Sequence, residues 1–233
     1  DEGVGMYLTA EFASEQAFGG LGLSDAKNNN AIDQFDLTVA PSYTDLYNTD
    51  WKNYYQAIYR CNQLIQADAT IKWNGDTKAE GRIMGEARAL RGILYFDLVR
   101  LFGDVPLLLE PSEANIPRTP VKEVYQSIFD DLKYAAANIP ADAYPKAKAS
   151  ENDGRVTSFA AKALLARVYL FYTGYYAKDD LEVTKAEVLA GLEDIVDSGE
   201  FDLLPTYKEM WPAASYIPNA DDNKLDKSGY AGA

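Results

Sequence analysis

The side chains that could do chemistry in this chain are carboxylates, amides and aromatic rings, because the usual nucleophile and base partners are missing. The 233 residues contain no histidine and a single cysteine, Cys61. Ser-His and Cys-His catalysis and the Cys/His zinc sites are therefore excluded within the chain, as is an internal disulfide. A pair of carboxylates acting on a glycosidic bond needs none of these and stays open. The richest stretch is residues 18–43, with Gly19-Gly20, Asn28-Asn29-Asn30 and Asp33 and no helical periodicity. A loop of that length inside a compact domain is usually either functional or mobile. Asp25, Asn28, Asn30, Asp33, Tyr43 and Tyr47 are the candidate ligand-binding residues: amides and carboxylates can ring hydroxyl groups while tyrosines supply a stacking face. The competing reading has the same tyrosines tucked onto a helical core.

Other chemically suggestive groups have structural readings. Glu86, Arg88, Arg91, Asp97 and Arg100 share one helical stretch, where neighbours three and four residues apart form ion pairs. Trp51, Tyr54 and Tyr55 sit on an apolar stripe, so core packing is weighed ahead of ligand contact. Cys61, on the same side, reads as a small buried hydrophobe. Neither Asp25 through Asp33 nor Asp221-Asp222-Asn223 has the spacing of a calcium loop, so no metal and no cofactor is expected.

These residues hang on helices. In residues 47–69 the positions Trp51, Tyr54, Tyr55, Ile58, Cys61, Asn62, Ile65 and Ala69 recur at three and four, the stripe of an amphipathic helix. Ile83, Ala87, Leu90, Leu94, Leu98 and Leu101 repeat it over 80–102, and Gly103 stands where a left-handed cap is wanted. Thr119 as N-cap and Pro120 as first helical residue open a third helix, with Val124, Ile128, Leu132, Ala135 and Ile139 on one face, up to Pro140. A helix from Thr157 or Ser158 to about Tyr172 is apolar nearly all round, which predicts the most buried element, with Leu164 in its core. Thr184-Lys185-Ala186-Glu187 is a capping box flanked by Val183 and Val188 as a hydrophobic staple, opening a helix that closes at Ser198-Gly199. The predicted class is all-α, with tetratricopeptide-like helical pairs in a right-handed array and long irregular loops; Leu165-Ala166-x-x-Tyr169 fits a fragment of that repeat. The expected organisation is one helical domain over 1–204 and an irregular tail over 205–233.

Charge narrows the partners. Thirty-six acidic against 22 basic residues give a formal charge of -14, which repels phosphate backbones and anionic lipid heads, so nucleic acid is excluded as a partner. No stretch approaches the roughly 18 apolar residues of a membrane span.

Gly85-Glu86-Ala87-Arg88-Ala89-Leu90-Arg91-Gly92, running on through Tyr95-Phe96-Asp97-Leu98 to Phe102-Gly103-Asp104-Val105-Pro106-Leu107, resembles the central signature of the SusD/RagB family. Three further blocks resemble it in type and order: Trp51-x-x-Tyr54-Tyr55-x-x-Ile58-x-Arg60-x-Asn62, Pro117-Arg118-Thr119-Pro120 leading to Asp131-Leu132, and Gly154-Arg155-Val156-Thr157 leading to Leu170. The resemblance implies an amino-terminal portion of an outer-membrane, surface-exposed lipoprotein that binds oligosaccharides or peptides without chemistry and passes them to a SusC-type TonB-dependent transporter. It also implies a membrane attachment only through a lipid anchor that does not precede Asp1, and a second half, supplying much of the pocket, that does not follow Ala233. A tetratricopeptide scaffold for a protein partner and a two-carboxylate glycoside hydrolase are the alternatives.

Overall fold

The computed structural model describes residues 6–20, 27–36, 38, 45–140 and 155–201, with the backbone alone at 6–8, 27–28 and 45–47. Among them are seven α-helices and no strand, as the all-α class requires: α1 Met6–Ala13, α2 Lys27–Asp33, α3 Asp45–Ala67, α4 Thr77–Phe102, α5 Val121–Asn138, α6 Ser158–Tyr175 and α7 Lys185–Asp197. No described helix is long and apolar enough to cross a membrane. The chain divides into two compact units, one from Asp1–Gln66 with Ile93–Val124, the other from Ala67–Gly92 with Tyr125–Ala233. The domain boundary expected near 204 lies outside the described residues.

In the first unit, α1 and α2 pack through buried Phe12 and Ile32. Helix α2 falls inside the stretch read from sequence as irregular, because Asn28, Asn29 and Asn30 are weak helix formers and mask the pattern. Helix α3 buries Ile58, Cys61 and Asn62, with Trp51, Tyr54 and Tyr55 half-buried beside them. Cys61 is a buried free thiol, as its position on the stripe implied. At the end of α4, Gly103 takes φ +70 and its N–H donates to the Val99 carbonyl, which closes the helix in the left-handed region that glycine enters without strain.

The start of α5 differs from the expected cap. The Thr119 hydroxyl accepts from the Leu107 N–H at 3.3 Å, and the Thr119 N–H donates to the Val105 carbonyl at 2.9 Å in an isolated bridge. The orphan N–H of Val121 goes instead to the Asp104 carboxylate at 2.9 Å. An acidic oxygen there also suits the positive end of the helix dipole.

In the second unit, α5 presents the face read from its spacing: Ile128, Leu132, Ala135 and Ile139 are all buried. It lies close to α4, since a Cβ on Gly85 would stand 2.4 Å from Ile139 Cγ1. The stripe assigned to α4 holds at Ala87 and Leu98, both buried, and is corrected elsewhere: Leu90 is 46% exposed, and Met84, Gly85, Ala89 and Arg91 are buried beside Ala87. Counting leucines missed a face built from small residues and one cation.

That cation is the unit's main polar commitment. Arg91 donates to Asp131 through Nε at 2.7 Å and through a terminal nitrogen at 2.7 Å, with side-chain exposures of 5% and 2%. Arg88 adds a bond to the same carboxylate at 3.3 Å while stacking 4.4 Å from the Tyr134 ring centroid. Burial pushes the Asp131 carboxyl up, against the downward pull of the two guanidiniums. The charged set thus forms structural ion pairs as read, some of them beyond α4: Glu86 accepts from Arg155 Nε at 3.1 Å, while Asp97 and Arg100 pair within α4.

Helix α6 is capped by Thr157, whose hydroxyl accepts from the Ala160 N–H. It packs against α7, and burial is one-sided rather than all round: Leu165, Val168 and Tyr172 are buried, Leu164 is half-buried, and Leu170 is 67% exposed. Its composition overstated its burial because apolar residues on the far side face no described element. The Tyr172 phenol, pushed up to about 12 by burial and then by its bond to Asp180, anchors the turn after α6. The capping box of α7 is complete, and Val183 and Val188 are both buried as the staple. The Thr184 N–H, then its hydroxyl, then Lys133 hold the Glu187 carboxyl below its ordinary value.

Two outcomes follow. Asp131→Ala takes the carboxylate away from a buried guanidinium and is expected to cost about 3 to 5 kcal/mol in urea unfolding, whereas Arg91→Leu with Asp131→Leu recovers most of it; equal losses in both would show that the pair is not the source. Because Glu187 is depressed in the fold, its contribution is present above the unfolded value of about 4.3 and is lost as pH falls through the folded value. Hydrogen exchange at the start of α7 should therefore accelerate below that pH in the parent and show no such step in Glu187→Gln.

Candidate functional site

Of the residues singled out from sequence, Asp25 and Tyr43 lie outside the described set, and Asn28 and Tyr47 are placed only by backbone, in α2 and the first turn of α3. Asn30 and Asp33 sit half-buried on α2. The structure does not bring these two to the cleft that the first unit does contain.

That cleft, of about 600 Å³, lies between one side of α3 and the extended residues 108–113. Its construction starts from a backbone problem. Residues 105–110 run extended with only one bridge, so their polar groups need partners from side chains. Tyr55 Oη donates to the Pro106 carbonyl at 2.8 Å, Tyr95 Oη donates to the Leu108 carbonyl at 2.9 Å and accepts from its N–H at 2.7 Å, and Asn62 Nδ2 donates to the carbonyls of Leu108 at 2.8 Å and Glu110 at 3.3 Å. Burial, then the neighbouring Tyr95, pushes the Tyr55 phenol well above its ordinary value, so it stays a protonated donor.

The rings are propped from behind. Phe102 meets Trp51 edge-on at 5.1 Å, Tyr95 meets Tyr55 edge-on at 6.5 Å, and Trp51 and Tyr55 lie 4.9 Å apart at 42°. Tyr54, turned the other way, donates to Asp97. Trp51 and Tyr55 remain half-exposed and line the cleft. Around them, Lys52, Gln56, Arg60, Gln63, Glu110 and Glu113 also line it, and among the described residues their side chains make no hydrogen bond or ion pair. One layer is thus spent on holding the wall, and a second layer of rings, amides and charges is left facing the space.

The stripe reading of Trp51 and Tyr55 as core is half right, since they both pack and line. The polar row Lys52, Gln56, Arg60 beside them was the available signal. The opposite wall had none, because nothing in the sequence of 108–113 announces where it lies. A second cleft, of about 380 Å³, lies in the other unit between α5, α6 and α7. It is floored by Ala136, Leu165 and Val188, and its lysines, Lys133 and Lys162, are engaged by Glu187 and Asp194. Among the described residues no group of three or more carboxylate or thiol side chains is placed to hold a metal ion.

Asn62→Ala should leave the carbonyls of Leu108 and Glu110 short of a donor, costing about 1 to 3 kcal/mol. Amide exchange at residues 108–110 should accelerate while α6 and α7 keep their protection; unchanged exchange at the wall would show that Asn62 does not hold it.

Residues 13–170 match a SusD-like family described as starch-binding and associating with the outer membrane. A SusD-like protein of Bacteroides ovatus is 28% identical over 170 residues, covering 69% of this chain and 29% of that protein. A laminarin-binding SusD-like protein superposes with a TM-score of 0.68 at 26% identity, covering 93% of this chain and 44% of the other. A surface glycan-binding protein A from Bacteroides fluxus superposes at 0.69 with 25% identity, covering 95% and 43%. The chain spans 22% to 33% of the length of the curated relatives it matches.

Proposed function

Because the chain belongs to this SusD-like family, we propose that it captures oligosaccharide at the bacterial outer-membrane surface without cleaving it and delivers it to a SusC-type TonB-dependent transporter. The observation that carries the binding reading is the cleft along α3: half-exposed Trp51 and Tyr55, braced from behind, beside Gln56, Gln63, Glu110 and Glu113, whose side chains make no hydrogen bond or ion pair among the described residues. Apolar faces bounded by amides and carboxylates match the two sides of a sugar, a ring of C–H groups and a rim of hydroxyls. What relatives bind supports the same class, since one is laminarin-binding and another is a surface glycan-binding protein.

The loop candidates stand beside this cleft as a second contribution. Asp25, Asn28, Asn30, Asp33, Tyr43 and Tyr47 are proposed to extend the site from the stretch that leads into α3; Tyr47 directly precedes Asn48, which lines the cleft. The packing of α6 against α7 supports a tetratricopeptide-like scaffold. Attachment to the membrane is proposed to come through a lipid anchor.

Calorimetric titration with a retained glycan tests the reading. Trp51→Ala should weaken binding by about 1 to 3 kcal/mol while the chain stays folded by circular dichroism, and Tyr43→Ala and Tyr47→Ala by a similar amount if the loop takes part. New reducing ends on incubation would turn the assignment to a hydrolase, and absence of any glycan retention would leave a protein-interaction scaffold.

A further inference from the structure

Helix geometry turns the composition of the cleft into a length. Residues four apart on an α-helix lie on nearly one face, displaced by about 6 Å along the axis. Trp51, Tyr55 and Tyr59 recur at that interval, and Lys52, Gln56 and Arg60 recur at it one position round the helix. Each row runs over about 12 Å. The facing wall follows the same direction, since Tyr55 reaches Pro106 and Asn62, two turns further on, reaches Leu108 and Glu110. The space is therefore a trough beside the helix rather than a pit.

A pyranose ring is close in size to a benzene ring, so each four-residue step offers one apolar surface and one polar side chain to one sugar. The 42° between the Trp51 and Tyr55 rings makes these successive steps rather than one flat sheet. A space of about 600 Å³ is of the size that takes a drug-sized ligand, more than a single ring fills. Charge does not discriminate here: Lys52 and Arg60 on α3 are balanced by Glu110 and Glu113 on the facing wall. Length does.

Resting on the glycan reading above, we propose that α3 measures its ligand: the trough takes three consecutive rings from a linear oligosaccharide, one at each of the Trp51/Lys52, Tyr55/Gln56 and Tyr59/Arg60 steps, and does not retain a monosaccharide. Tyr55, whose hydroxyl is committed to the wall, contributes its ring alone at the central step. Lys52 and Arg60, with no partner among the described residues, give their N–H groups to hydroxyls at the two outer steps.

The full chain is first run in affinity electrophoresis against linear β-1,3-, β-1,4- and α-1,4-glucans and β-1,4-xylan, and the retained series is then titrated calorimetrically from one ring to six. Affinity is expected to climb about threefold to tenfold per ring up to three and then stay level within about twofold. Arg60→Ala, at an exposed side chain, should lower the three-ring affinity at least threefold and bring the plateau forward to two rings, with an unchanged melting temperature. Equal affinity for one ring and six overturns the measuring role and leaves the glycan reading standing. A climb that passes three rings without a break, or a plateau that Arg60→Ala does not move, also overturns it by placing the chain elsewhere. Retention of none of the four polymers overturns both readings together.

Discussion

An extended backbone without a sheet must be satisfied by side chains, and the first unit is arranged around that need. Tyr55 and Asn62 from α3 and Tyr95 from α4 meet the polar groups of residues 106–110. The cost is that three polar side chains on half-buried or buried positions are committed to structure. The return is a wall held at fixed distance from α3, without which the rings and amides of that helix would lie on an open surface. The aromatic contacts follow from the same arrangement, since Tyr95 both holds Leu108 and braces the Tyr55 ring.

The second unit solves a different problem. Small residues on α4 allow close approach to α5, as Gly85 against Ile139 shows. Close approach excludes water, so Arg91 and Asp131 are stripped of it together and must satisfy each other in the bidentate geometry they adopt. A lysine in place of Arg91 would lack the planar fork that meets both carboxylate oxygens. The pair fixes the register of the two helices at one point, while alanines and Leu132 fill the space around it.

Much of this was legible in the sequence, for reasons that differ by element. The α5 face and the α7 capping box were read correctly because each rests on interactions within one helix and its flank. The buried face of α4 was read at Ala87 and Leu98 and missed at Gly85, Ala89 and Arg91, because residues as small as the first two leave little hydrophobic signal and Arg91 looks like a surface residue until its partner 40 positions later is in view. The α5 cap shifted from Thr119 to Asp104 for a related reason: the side chain that serves the helix comes from the far end of the preceding loop. Family resemblance placed the chain among SusD-like proteins, yet the cleft itself required the path of 108–113, which no periodicity encodes.

The connection between α4 and α5 is fixed at both ends and free between them. Gly103 and Asp104 finish one helix and start the next, Leu107 and Leu108 are held by Thr119 and Tyr95, and Thr119 closes back on Val105. Between these points, residues 113–115 are exposed, and their one side-chain-to-backbone bond is local, from the Ala114 N–H to Ser112. Insertions there lengthen only a loop whose ends are already clamped, so the entropic cost rises slowly with length. One rim of the cleft can thus be rewritten in evolution or by design while both helices keep their register, which makes this short stretch the natural place to graft new recognition onto an unchanged scaffold.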